Sequence, residues 1–414
     1  MKLLNFFKEY GFLIVLLSLS GVFTPDFSPK GHLLDLDLNH MSEVKSGSDS
    51  FKQVFWILLS SLYSVLLIKY KENFSYQLAV RQLKLPIIFL CIVILILFTS
   101  CLWSKFPLLS FKRVVFQLLL YWVLIQAYVF SYIAGTLVKN VRLLCFIVLV
   151  MLIISVLFGS GINPYFELAG YTQSKNNMGA ILAILILLSY IIFHNNNELE
   201  GNKKILALLF IALLFTVSKT SIALVLLYFV LINLPNIALK SFLWLSIFFT
   251  ICVFTTFPII TYYLNDYWHI GQIVEPVFMT GRGVIWDNIY YDLNFFSKLN
   301  YGYGYGSYFG TPVPPYFFDD DYSFLQYINS AHNGYIELLS QVGTLSLFLI
   351  SFYFLMFVKK NSNFLLAALS FPVFYNISEP AFFRDQHIVW IFSLLLLCIT
   401  YTPLRCKSYV NNVK

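Results

Sequence analysis

Apolar runs long enough to cross a bilayer follow one another along almost the whole of this chain. A membrane-spanning helix needs ~20 mostly apolar residues to cover a ~30 Å hydrocarbon core. Runs of about that kind lie at 10–24, 53–68, 86–103, 115–133, 141–158, 179–194, 204–217, 220–234, 241–264, 335–358, 362–378 and 387–402. No water reaches a free backbone N–H or C=O inside lipid, so a spanning segment must satisfy its own hydrogen bonds, and continuous runs of this length do so as helices. The expected fold is an all-α polytopic membrane protein with about twelve transmembrane helices. Composition agrees. With 59% hydrophobic and 11% charged residues and a mean hydropathy of +0.76, the chain has too few polar side chains to cover a water-soluble fold.

Two polar stretches interrupt the pattern, at 25–52 and 265–334. The second divides the chain into residues 1–264 with nine expected helices, a large loop at 265–334 that includes short helices, and residues 335–414 with three helices and a tail. Cations set the orientation. With the N-terminus in the cytoplasm, the short inner loops and tails hold 16 of the 27 Lys and Arg, among them Lys69, Lys71, Lys203, Lys204, Lys359 and Lys360, against four acids. That obeys the positive-inside rule and puts 265–334 on the outer face. The net charge of +7 reports topology and gives no reason to expect nucleic acid. Lys2 and Lys8 ahead of the apolar run Gly11 to Val22 also fit a signal peptide, but TPDFSPKG lacks a clear small-residue cleavage site, so 10–24 is expected to remain as a helix. No outer loop carries a cysteine, and no disulfide is expected.

The long outer loop holds the residues with chemistry. It reads TGRGVIW at Thr280 to Trp286, YGYGYG at Tyr301 to Gly306, and AHNGYIELLSQVG at Ala331 to Gly343. Gly281 to Phe296 has helical spacing, with Val284, Ile285, Ile289, Leu293 and Phe296 on one side, which predicts an interfacial helix lying on the bilayer. Arg282 reads either as a lipid-headgroup anchor or, with glycines on both sides, as a ligand contact. His332 precedes a helix that Asn333 is placed to cap. The spacing of YGYGYG is not that of a phosphate-binding P-loop. Asp319, Asp320 and Asp321 read as a solvated face. Asp35 and Asp37 read as amphipathic alternation, with a metal-binding Asp-x-Asp as the alternative, and no metal site is expected.

The order of these motifs resembles the bacterial O-antigen ligase and polysaccharide polymerase superfamily, a group of integral-membrane glycosyltransferases of the GT-C type. The resemblance runs from Leu102 to Phe348, through LWSKFPLLSFKR at Leu102 to Arg113, QSKNNMGAIL at Gln173 to Leu182, VSKTSIALVLL at Val217 to Leu227 and the three loop motifs. It implies that Arg282 and His332 are the functional pair. The family's further cation follows a serine in a Ser-Arg pair; here Ser218 is followed by Lys219, which keeps the charge and loses the guanidinium fork.

The implied reaction uses a glycan carried on a polyprenyl diphosphate. An acceptor hydroxyl attacks the anomeric carbon and the lipid diphosphate leaves. Arg282 would grip the diphosphate oxygens in a fork, Lys219 would add a point charge, and Arg113 and Arg384 are further candidates for the phosphates, each with a competing reading as an interface anchor. Arg384 is also placed to pair with Glu379 or Asp385. His332, whose imidazole can take up a proton, would accept the hydroxyl's proton, a contribution of roughly 10²- to 10⁴-fold. Tyr301, Tyr303, Tyr305 and Tyr335, with Asn333 beside them, are the candidates for glycan contact, against a purely structural turn. The chemistry calls for no cofactor and no metal.

The resemblance implies a multi-pass protein of the bacterial inner membrane with its site facing the periplasm, and polymerisation of surface-polysaccharide repeat units as its function. Transfer of the finished chain to the lipid A core, the ligase reaction, is the alternative. Membrane lipids and chain-length regulator proteins are further expected partners. A lipid-linked oligosaccharide flippase is the rival from another class, disfavoured because the charged residues sit at span ends and not at the bilayer midplane.

Overall fold

A computed structural model describes residues 2–28, 30, 50–264, 282–311, 328, 330–358 and 362–402. Fifteen helices are described: α1 Lys2–Leu19, α2 Ser50–Tyr70, α3 Phe74–Gln82, α4 Lys84–Ser100, α5 Pro107–Ile133, α6 Leu137–Leu157, α7 Lys175–Asn195, α8 Leu199–Phe215, α9 Lys219–Leu231, α10 Asn236–Tyr263, α11 Arg282–Phe295, α12 Gly334–Val342, α13 Leu345–Leu355, α14 Asn363–Ser378 and α15 Ile388–Tyr401. The protein is an all-α, multi-pass membrane protein, with no strand among the described residues. Among the described residues six helices are long and apolar enough to cross a bilayer: α2, α4 with its 3₁₀ extension to Trp103, α5, α6, α7 and α10. The runs read at 220–234, 335–358, 362–378 and 387–402 form shorter helices, α9, α13, α14 and α15.

Burial sorts the bundle into inside and outside. In α7, 83% of the apolar window is buried, against 22% in α2, so α7 is the central post. It packs on α6, α8, α9, α14 and α15. Leu58, Ile68, Leu95, Leu245 and Phe248 on α2, α4 and α10 point outward, the arrangement of a surface solvated by lipid tails.

Two prolines shape the helices that reach the site. Pro372 has no N–H for the carbonyl four residues back, and α14 breaks at Leu369 into two pieces. In α10 a π turn at Cys252–Thr256 precedes Pro258, which leaves the Phe254 carbonyl without its helical donor. Tyr290 of α11 fills that place, its hydroxyl donating to the Phe254 oxygen at 3.0 Å.

The sequence led us to expect α11 on the bilayer surface; Ile285, Ile289 and Leu293 of its apolar stripe are instead buried in the protein, while Val284 is half-buried and Phe296 exposed. Ile285, Trp286, Ile289, Tyr290 and Leu293 are buried, and the Trp286 indole donates to the Ala331 carbonyl at 2.9 Å. Burying a tryptophan and a tyrosine with their polar ends satisfied outweighs leaving them at an interface. The run read as one span at 335–358 is also broken. Gly343, at φ 61°, ends α12 before α13 begins.

Candidate functional site

α12 is the hub on which the loop motifs meet, touching α4, α10, α11, α13 and α14. Asn333 caps it, its side-chain oxygen accepting from the N–H groups of Tyr335 (2.9 Å) and Ile336 (3.1 Å), while its amide donates to the Ile377 carbonyl at 3.2 Å. That ties the start of α12 to the end of α14. Contact is close enough that a Cβ on Gly334 would run into the Asn376 side-chain oxygen. The same oxygen accepts from Ala381 and Phe382 at 2.9 and 2.8 Å and so folds the 379–387 turn.

Glu379, the first residue of that turn, joins the two residues expected to act. One carboxylate oxygen accepts from Arg282 Nη2 at 3.0 Å, and the other lies 3.6 Å from His332 Nδ1. Arg282 also donates to the Ser378 carbonyl through Nη1. Burial alone would raise the Glu379 carboxyl, but the His332 contact and the Arg282 charge outweigh it and hold the group below the usual glutamate range. His332 occupies the left-handed region at φ 48°, a costly conformation for a non-glycine residue that the surrounding contacts impose.

A second pair flanks the first. Arg384 Nε lies 3.4 Å from Glu337, whose other oxygen accepts from the Ala331 N–H at 3.1 Å. Arg384 thus meets Glu337, whereas the sequence reading offered Glu379 or Asp385 as its partner. Asp385 is exposed, yet enough protein surrounds it that burial raises its carboxyl above the usual aspartate range, with Arg113 and Arg384 pulling it back. Burial, reinforced by the Arg384 charge, drives His387 down to about 3, so its neutral Nδ1 accepts the Val389 N–H at 3.3 Å and starts α15.

Other expected site residues do structural work. Arg113, a candidate interface anchor or phosphate contact, donates to the carbonyls of Gly306, Phe309 (3.1 Å) and Gly310 (2.9 Å), pinning the glycine-rich turn. Tyr305 and Tyr335 are buried rings. Their hydroxyls donate to Phe383 (2.7 Å) and Val373 (3.0 Å), and Tyr335 stacks on Phe254. Asn333 is likewise fully buried as a cap. Tyr301 is partly exposed, and the inward-facing Tyr303 borders a cavity. Lys219 is exposed at the start of α9, and among the described residues no hydrogen bond or ion pair links it to Arg282 or His332. Thr280, Gly281, Asp35, Asp37 and Asp319 to Asp321 lie outside the described residues.

The glycine-rich turn has a local reason to exist. The last carbonyls of a helix lack intrahelical donors; those of Ser340 and Gln341 in α12 accept from the N–H groups of Tyr303 (2.8 Å) and Gly304 (2.9 Å). A side chain at residue 302 would collide with the Gln341 backbone, and Gly302 and Gly304 have φ of 70° and 93°.

Sequence reading missed Glu379 as the bridge, and missed Asn376 and Glu337 altogether. The signal available was a polar or acidic residue set in otherwise apolar helical sequence, NISEP and GYIELL, where burial demands a partner. No protein-family model, no curated protein and no solved structure matches this chain.

Proposed function

We propose that this protein is a glycosyltransferase of the bacterial inner membrane, with about twelve spans and its site on the periplasmic face, that polymerises polyprenyl diphosphate-linked repeat units of a surface polysaccharide. The observation that carries the reading is Glu379 joining Arg282 to His332. A carboxylate beside Nδ1 favours the tautomer with its proton there, which leaves Nε2 to take the proton of an acceptor hydroxyl. Glu379 then stabilises the imidazolium that forms. The acceptor oxygen bonds to the anomeric carbon, the bond from that carbon to the diphosphate breaks, and its electron pair leaves with the diphosphate. Arg282 has N–H groups beyond those given to Ser378 and Glu379, and these meet the charge developing on the leaving group.

The glycans of a deletion strain test the reading. Single repeat units on the acceptor lipid are the polymerase outcome. An unmodified acceptor with long chains stranded on the polyprenol assigns the ligase reaction instead, and glycans of normal length and attachment remove the protein from this chemistry.

A further inference from the structure

A cavity of about 350 Å³, lined by Trp103, Lys105, Phe296, Lys298 and Tyr303, shares no lining residue with the Arg282–Glu379–His332 cluster. Its wall combines three aromatic rings and two ammonium groups, contributed by the turn before α5, the end of α11 and the glycine-rich turn. We infer that this cavity is a subsite for an acidic sugar, a uronate or phosphate-bearing residue of the glycan. Aromatic faces stack on the apolar faces of a sugar ring and ammonium groups pair with its anion. The volume falls at the small end of the ~300–1,000 Å³ usual for ligand pockets, which suits a sugar ring and not a long oligosaccharide.

The site is built before any ligand arrives. The Trp103 indole donates to the Tyr301 carbonyl at 2.8 Å, which fixes the ring. Lys298 folds back over the rings of Tyr301 and Tyr303, 5.0 and 5.8 Å from their centroids. Gly304 sets Tyr303 in place, since a Cβ there would stand 2.6 Å from Ser104. Beneath Tyr303 lies the buried Asp292 carboxyl, near the hydroxyls of Tyr303 and Tyr308 but without a well-directed hydrogen bond. Burial raises it to about 7 against the pull of those hydroxyls and Lys105, so near neutral pH a good part of it is uncharged and does not cancel the lysines. Aromatic and lysine side chains at a membrane boundary commonly anchor headgroups, with the amine reaching out to water. Here the Trp103 N–H is taken up by the Tyr301 carbonyl and the Lys298 ammonium lies over two rings, which favours a sugar.

The ligand class rests on the glycosyltransferase reading, and the test needs no turnover. The full chain in phosphatidylcholine nanodiscs is probed by saturation-transfer NMR with methyl β-D-glucuronide and its neutral counterpart methyl β-D-glucoside. The glucuronide should bind about fivefold better, the worth of roughly one exposed ion pair. Lys105→Gln with Lys298→Gln should remove that preference, Trp103→Leu should weaken both sugars, and His332→Ala should change neither. Equal binding of the two sugars, or a preference that survives loss of both lysines, overturns the subsite. So does displacement of the glucuronide when the nanodiscs include phosphatidylglycerol, which assigns the cavity to a lipid headgroup. Glucuronide preference in a protein shown to lack transferase activity leaves the subsite standing and overturns only the wider reading.

Discussion

Glu379 meets Arg282 at 3.0 Å, and this contact makes the arginine and the histidine of two separate motifs parts of one unit. If Glu379 positions the His332 ring, Glu379→Gln should insert and fold yet lose about 10²-fold or more of its turnover. An amide can present its N–H₂ toward Nδ1 and favour the wrong tautomer. The split is diagnostic: kcat falls while donor affinity changes little. Loss of affinity with kcat intact would make Glu379 a mere counter-charge to Arg282.

Arg282 itself should tolerate no neutral replacement. Arg282→Ala leaves Glu379 with a lost partner and the leaving diphosphate with a lost donor, so product should vanish from membranes that contain normal amounts of protein. Arg282→Lys should recover only part, because a point charge cannot serve Ser378, Glu379 and a phosphate together. Lys219→Arg should be tolerated.

Arg113 should separate loop anchoring from phosphate binding. Its fork is committed to the carbonyls of 306–310, so Arg113→Ala is expected to cost about 1–3 kcal/mol and expose the turn to protease, with donor affinity unchanged in the protein that remains folded. A large loss of donor affinity at normal stability would return Arg113 to the phosphate site.

Asp292 gives a pH signature. Its folded pKa of about 7 exceeds the ~3.9 of an unfolded aspartate. Between those values the native state holds a proton that the unfolded chain has lost, so stability falls as pH rises from about 4 to about 7 and the penalty is complete above that. Asp292→Asn should therefore be more stable than wild type at pH ~8, by at most ~4 kcal/mol, with the gap narrowing toward pH ~5. Thermal midpoints in detergent at the two pH values check this; an equal shift at both contradicts it.

Apolar length and periodicity were enough to place α2, α4 to α7 and α10, because burial in lipid and helical hydrogen bonding leave such runs one solution. Helix breaks were less legible. The split of 335–358 depends on Gly343 taking a positive φ to meet the glycine-rich turn, a contact between segments some 40 residues apart. Arg282 and His332 were singled out as candidates from their loop setting, whereas Glu379 follows them in the chain by about 97 and 47 residues and meets them where Asn376 folds the turn behind it. The burial of Tyr305 was not legible for a related reason: alternating glycine and tyrosine fits a sugar platform and a helix-capping turn equally well. Only the partners of the N–H groups distinguish the two.

The most direct test of the central claim uses purified protein and a polyprenyl diphosphate-linked repeat unit, comparing wild type with His332→Ala for both turnover and donor binding. Wild type should extend the chain, while His332→Ala should lose most turnover and still bind the donor, because the imidazole acts on the acceptor hydroxyl and not on the diphosphate. Full turnover by His332→Ala, or no transfer by the folded wild-type protein with any such donor, would contradict the account.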